Sequence, residues 1–171
     1  YVKDDNSYVP SDMYHVSRPK VQSLSIGGVD ASKYVIRTEK YPSILSRRAA
    51  TDLSNFFVTE GGIVVPVEND QKTTTNEILV GLTERSGISS ETFKSESLDW
   101  VNGYDHEQYN VFFKDGKLFI EAGSDYATVY AVNVFVDYIN SNKTFAVDTV
   151  ISGTYSKGND IVNGYSYNVN Q

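Results

Sequence analysis

Apolar and polar positions alternate, break and change period along the chain in a way that spells out successive elements. Residues 21–26, "VQSLSI", alternate strictly and predict a strand; "GGVD" turns the chain, and 34–38, "YVIRT", reads as a second short strand. The period then lengthens. Leu45, Ala49, Leu53, Phe56 and Phe57 recur three or four residues apart, while Arg47, Arg48, Asp52 and Asn55 fall mostly on the other side. That is one apolar stripe of a helix. Ser43 is a suitable N-cap and Gly61-Gly62 a suitable stop, so the helix is expected over about 43–59. "IVVPV" at 63–67 reads as a strand in which Pro66 suits an edge or an end, because it cannot donate to a ladder. After the polar loop "NDQKTTTN", the run "EILVGLT" at 77–83 predicts a strand covered on both faces.

Residues 86–101 allow a short helix capped by Ser89 or Ser90, and "NGYDHE" is rich in turn formers. The strongest local signal follows. In "QYNVFFKDGKLFIEA" two runs of strand formers flank Asp115-Gly116, the pair that favours a type I′ hairpin turn. Gly123, Ser124 and Asp125 interrupt the second strand, and Ser124 or Asp125 can cap a helix. Ala127, Tyr130, Ala131, Val134, Phe135 and Tyr138 then follow helical spacing. A strand reading would put Asn133 and Asp137 on the same face as Val129, Ala131 and Phe135, so a helix over about 125–140 is preferred. Its β-branched residues are mediocre helix formers, so this helix must draw its stability from burial. "TFAVDTVIS" and "YSYNV" supply one or two late strands. The fold class expected is α+β: a mixed β-sheet with two main helices packed mainly on one face. Residues 1–18 read as a tail or linker and 19–171 as a single domain.

Composition narrows the partners. Hydrophobic residues make up 40% of the 171 and charged residues 22%, enough for a real core. The net charge of −7 and pI near 4.8 give no attraction to phosphate backbones or anionic lipid, so neither nucleic acid nor a membrane surface is expected as partner. No apolar run approaches the roughly 20 residues that span a bilayer. With no cysteine, disulfides and thiolate metal sites are excluded. Thirteen tyrosines, with abundant Asn, Ser and Thr, suggest the surface of an exported or cell-surface bacterial protein. A chain that begins at Tyr1 suggests a processed or excised piece.

Candidate chemistry is sparse. The histidines are His15, in the tail, and His106, beside Asp105 and Glu107 in a turn that lacks H-E-x-x-H spacing. Gly27-Gly28 and Gly61-Gly62 form no phosphate-binding loop, and Ser152-Gly153 lacks the frame of a nucleophile elbow. Asn142-Lys143-Thr144 is a formal glycosylation sequon, relevant only to a eukaryotic secretory host. No catalytic residue, metal ligand or cofactor motif is assigned. Trp100 and Tyr104 lie in the irregular "DWVNGYDHE" stretch and are the candidate ligand-binding pair, since aromatic faces stack on the C–H faces of sugar rings; core packing of Trp100 is the competing reading.

The order of motifs resembles a known pattern. Ala49-Ala50 with Leu53, Gly61-Gly62, Pro66, Glu77-Ile78 with Gly81, Glu107 with Tyr109, Ile120 with Ala122, and Tyr130-Ala131 follow one another in an order that resembles the non-catalytic domain that precedes the barrel in family 20 hexosaminidases and family 67 α-glucuronidases, or a related domain of secreted bacterial proteins. The resemblance covers about 21–140, and departs from the pattern at Ala127-Thr128, where glycine is common. It implies an accessory α+β domain that packs against a neighbouring catalytic domain of the same polypeptide. The catalytic residues of those enzymes belong to a barrel of about 250 residues, so none is carried over. A carbohydrate-binding module and a hydrolase in its own right are the alternatives.

Overall fold

The computed structural model describes residues 23–81, 83, 107–155 and 168–170, without the side chains of 107 and 168–170. In chain order the elements are β1 (Ser25–Ile26), β2 (Val29–Asp30), a 3-10 turn (Ala31–Lys33), β3 (Val35–Thr38), α1 (Ile44–Gly61), β4 (Val67–Asn69), β5 (Glu77–Val80), β6 (Glu107–Lys114), β7 (Lys117–Ala122), α2 (Asp125–Asn142), β8 (Thr144–Phe145), β9 (Val150–Tyr155) and β10 (Asn168–Asn170).

Among the described residues, seven strands form one mixed sheet in the order β10-β9-β6-β7-β5-β3-β4. The β7-β5-β3-β4 half is parallel and the β10-β9-β6-β7 half antiparallel. A small sheet, β2-β1-β8, sits apart. The α+β reading therefore holds, with two main helices against a mixed sheet.

Each helix begins as its sequence dictates, and α1 also ends so, whereas α2 runs on to Asn142 and closes on Lys143 at φ 64°. The Ser43 hydroxyl accepts from the Ser46 amide at 3.0 Å and the Ser124 hydroxyl from the Ala127 amide at 3.1 Å. Each satisfies one of the amides left over at a helix start. Gly62 closes α1 at φ 65°, in the left-handed region that a Cβ disfavours. The hairpin turn has positive φ at both Asp115 (53°) and Gly116 (80°), the type I′ signature. On α2, Ala127, Thr128, Tyr130, Ala131, Val132, Val134, Phe135 and Ile139 are buried, so this helix does owe its place to packing.

One core joins both helices to one sheet face. Leu53, Phe57, Tyr130, Ala131 and Phe135 pack with Ile36, Ile78, Val80, Val111, Leu118, Ile120 and Ile151. Tyr109 and Tyr130 meet edge-on at 5.4 Å, and Tyr130 in turn contacts Tyr155 at 5.4 Å. A Cβ on Gly153 would lie 2.6 Å from the Tyr109 hydroxyl oxygen, so glycine there is a packing requirement.

Several boundaries differ from the sequence expectation. The expected strand at 63–67 pairs only over Val67–Asn69. Pro66 has no amide to give, and its carbonyl instead accepts from Ile36 N at 2.8 Å just before the ladder starts. The strand expected over 77–83 ends at Val80, before Gly81 at φ 91°. The alternating stretch at 144–152 divides between two sheets at a turn closed by Thr149 N to Ala146 O, 3.1 Å. The strand expected over 21–26 is described from residue 23, and of 23–26 Ser25–Ile26 pairs; the possible helix at 86–101 lies outside the described residues.

Candidate functional site

The sheet face away from the helices carries the described polar chemistry. Side chains alternate across a strand, so Ile36, Ile78 and Ile120 enter the helix-side core while Arg37, Glu77, Leu79, Phe119 and Glu121 take the other face. All five are buried.

Arg37 and Glu77 form the centre of one network. Arg37 Nε donates to Glu77 Oε2 at 2.6 Å, its Nη1 to Glu68 Oε1 at 2.7 Å, and its Nη2 to Thr74 Oγ1 at 3.3 Å. Glu77 Oε2 also accepts from the Thr74 amide at 2.9 Å, and Lys117 Nζ stands 3.3 Å from Glu77 Oε1. Burial would lower the Arg37 pKa, but hydrogen bonds and charge from Glu77 and Glu68 prevail and raise it. The guanidinium is thus held charged and multiply bonded. Its chemistry is spent on fixing the 70–76 loop to the sheet.

Glu121 is different. It is 0% exposed, and neither carboxylate oxygen has a hydrogen-bond partner. Burial pushes its pKa up from 4.5 to about 8, against a smaller lowering by Lys114. A buried carboxyl in this state is a neutral acid at pH 7. Such groups demand a reason, because leaving them unpaired costs stability. Its cross-strand partner is Asn110, which in turn pairs with Ser152; Gln108 pairs with Thr154 one pleat away. Gln108, Asn110, Ser152 and Thr154 line an open cleft of about 260 Å³.

A second cleft, about 430 Å³, lies where β3 runs into α1, lined by Thr38, Lys40, Tyr41, Arg47, Glu68 and Asn69 among others. Tyr41 and Ile44 stand 84% and 83% exposed there, and Tyr126, in the first turn of α2, is 65% exposed. Both helices begin at the end of the sheet where β3 and β7 finish, so these three apolar side chains belong to one end of the molecule.

Trp100 and Tyr104 lie outside the described residues, as do His15 and His106, so the predicted ligand-binding pair is not placed. Among the described residues, no three of His, Cys, Asp and Glu are grouped so as to hold a metal ion. No described helix is long and apolar enough to cross a membrane. Sequence reasoning passed over Arg37 and Glu121 and met Glu77 only as part of a motif. Their signal was present: Arg37 in "VIRT", Glu77 in "EILV" and Glu121 in "KLFIEA" are charged residues in strands otherwise built for burial.

No family model and no curated protein matches the sequence. Among solved structures, CpGH84D, a protein of glycoside hydrolase family 84, is a weak neighbour at 12% identity and a TM-score of 0.43. The match covers 85% of this chain but only 23% of that one.

Proposed function

We propose that this chain is a non-catalytic accessory domain of an exported, carbohydrate-active or cell-surface bacterial protein, and that it packs against a neighbouring domain of the same polypeptide. The observation that carries the reading is where the motif residues fall. Ala49, Ala50, Leu53, Ile78, Tyr109, Ile120, Ala122, Tyr130 and Ala131 are all buried packing residues, Gly62 is a helix cap, and Pro66 opens an edge strand. A pattern shared with the pre-barrel domains of family 20 and 67 enzymes is thus a pattern of scaffold positions, and the chemistry of those enzymes resides in another domain. Tyr41, Ile44 and Tyr126 are apolar groups exposed at one end, the kind of surface that a neighbouring domain covers.

The test is stability coupling. In the longer polypeptide, thermal unfolding of this domain should occur at a higher temperature than in the isolated chain. Tyr41→Ser with Ile44→Asp should remove that difference while leaving the isolated chain unchanged, because both residues are exposed in it. Equal unfolding temperatures in the two contexts would refute docking.

A further inference from the structure

The cleft where β3 runs into α1 is lined by two cations, Lys40 and Arg47, beside the ring of Tyr41. Both cations are exposed, and among the described residues neither has an ion-pair partner. Lys40 Nζ stands 5.6 Å from the centre of the Tyr41 ring, within cation–π range. Glu68 lines the same cleft, but its Oε1 accepts from Arg37 Nη1 at 2.7 Å, so its charge is already opposed. α1 begins here with no acidic side chain in its first turn, and the positive end of its dipole adds to the field of the two cations. Acids are not scarce elsewhere, with 22 Asp and Glu against 15 Lys and Arg in the chain. The cleft is a cationic spot on an acidic molecule.

Docking at this end, the reading on which this inference rests, would change the surroundings of both cations. Ile44 and Arg47 are three residues apart on α1 and so are neighbours on one helix face. Tyr41 follows Lys40 in sequence and lines the cleft with it. A surface laid over Tyr41 and Ile44 therefore takes water from Lys40 and Arg47 as well. A cation stripped of water without a counter-charge costs free energy. A guanidinium that faces a carboxylate instead makes two short, charge-assisted hydrogen bonds. An uncharged cover would lose on the cations what it gains on the tyrosine and isoleucine.

We propose that the surface covering this end is acidic: the neighbouring domain presents Asp or Glu side chains to the cleft, one carboxylate to the Arg47 guanidinium and one to the Lys40 ammonium. Tyr41 and Ile44 supply apolar area, and the two ion pairs select which surface docks and in what orientation.

The experiment measures how much higher this domain unfolds in the longer polypeptide than in the isolated chain, for wild type and for Lys40→Met with Arg47→Met. Both residues are exposed, so the isolated chain should unfold alike with and without the substitutions. In the longer polypeptide the variant should lose about half or more of the wild-type increment, because the partner's carboxylates are left buried without a counter-charge. Lys40→Glu with Arg47→Glu should abolish it through like-charge repulsion. The sign decides the matter. An apolar or cationic cover would make the increment grow in the Met variant, since that variant removes the unpaired charges; such a rise overturns the proposal and leaves docking intact. An unchanged increment overturns it too, by placing both cations outside the contact. No increment in wild type refutes docking and the acidic partner together. A second copy of this chain as the occupant would make the unfolding temperature of the isolated wild type rise with protein concentration, which also overturns the proposal.

Discussion

At the scale of single residues, two buried acids on one sheet face meet opposite fates. Glu77 is paired with Arg37, and Glu121 has no hydrogen-bond partner. Removing one partner of a buried pair strands the other charge, so Arg37→Met should destabilise by about 3–5 kcal/mol. Arg37→Met combined with Glu77→Leu should cost much less, and urea unfolding of the two variants measures the difference. For Glu121 the sign runs the other way. Its folded pKa, about 8, exceeds the ordinary 4.5, so the native state holds a proton that the unfolded chain has released between those values. The Glu121 contribution to stability therefore falls as pH rises from about 4.5 to about 8 and is flat above. Glu121→Leu should abolish that slope and raise stability at pH 8 by about 1–3 kcal/mol, seen in unfolding curves across the pH series. The Arg37–Glu77 network could not be assembled from sequence, because the two residues lie 40 positions apart and meet only when β3 and β5 pair.

Elements were legible wherever local chemistry fixes them. Ser43, Gly62, Asp115-Gly116 and Ser124 each specify a start, stop or turn through their own side chain or backbone freedom, and each does so in the structure. Ser124→Ala should therefore cost about 0.5–2 kcal/mol, read from the unfolding midpoint, through loss of the bond to the Ala127 amide. Gly153→Ala tests a different kind of requirement. A methyl group 2.6 Å from the buried Tyr109 hydroxyl must displace that ring, at about 1–3 kcal/mol by the same measurement. Strand limits were less legible, because a strand is defined by its partner. The run at 63–67 has strand composition, but β3 offers it a ladder only from Val67. The alternating stretch at 144–152 serves two sheets for the same reason.

At the scale of the whole molecule, the fold class followed from the sequence of periods, while the strand order did not. That β4 would take the outer edge beside β3, with β5 on its inner side, is set by crossovers whose lengths and hydrophobic patterns allow either arrangement. The motif residues became informative only together with the fold, which places them in core and caps and leaves apolar side chains exposed where both helices begin. The central claim is that a neighbouring domain covers this end. Hydrogen exchange of the isolated chain and of the longer polypeptide tests it most directly, because docking slows exchange where it excludes water and holds backbone closed. The account predicts slower exchange around Tyr41–Arg47 and Tyr126 in the longer polypeptide, with the α2 core unchanged. Identical exchange at those residues in both contexts would contradict it.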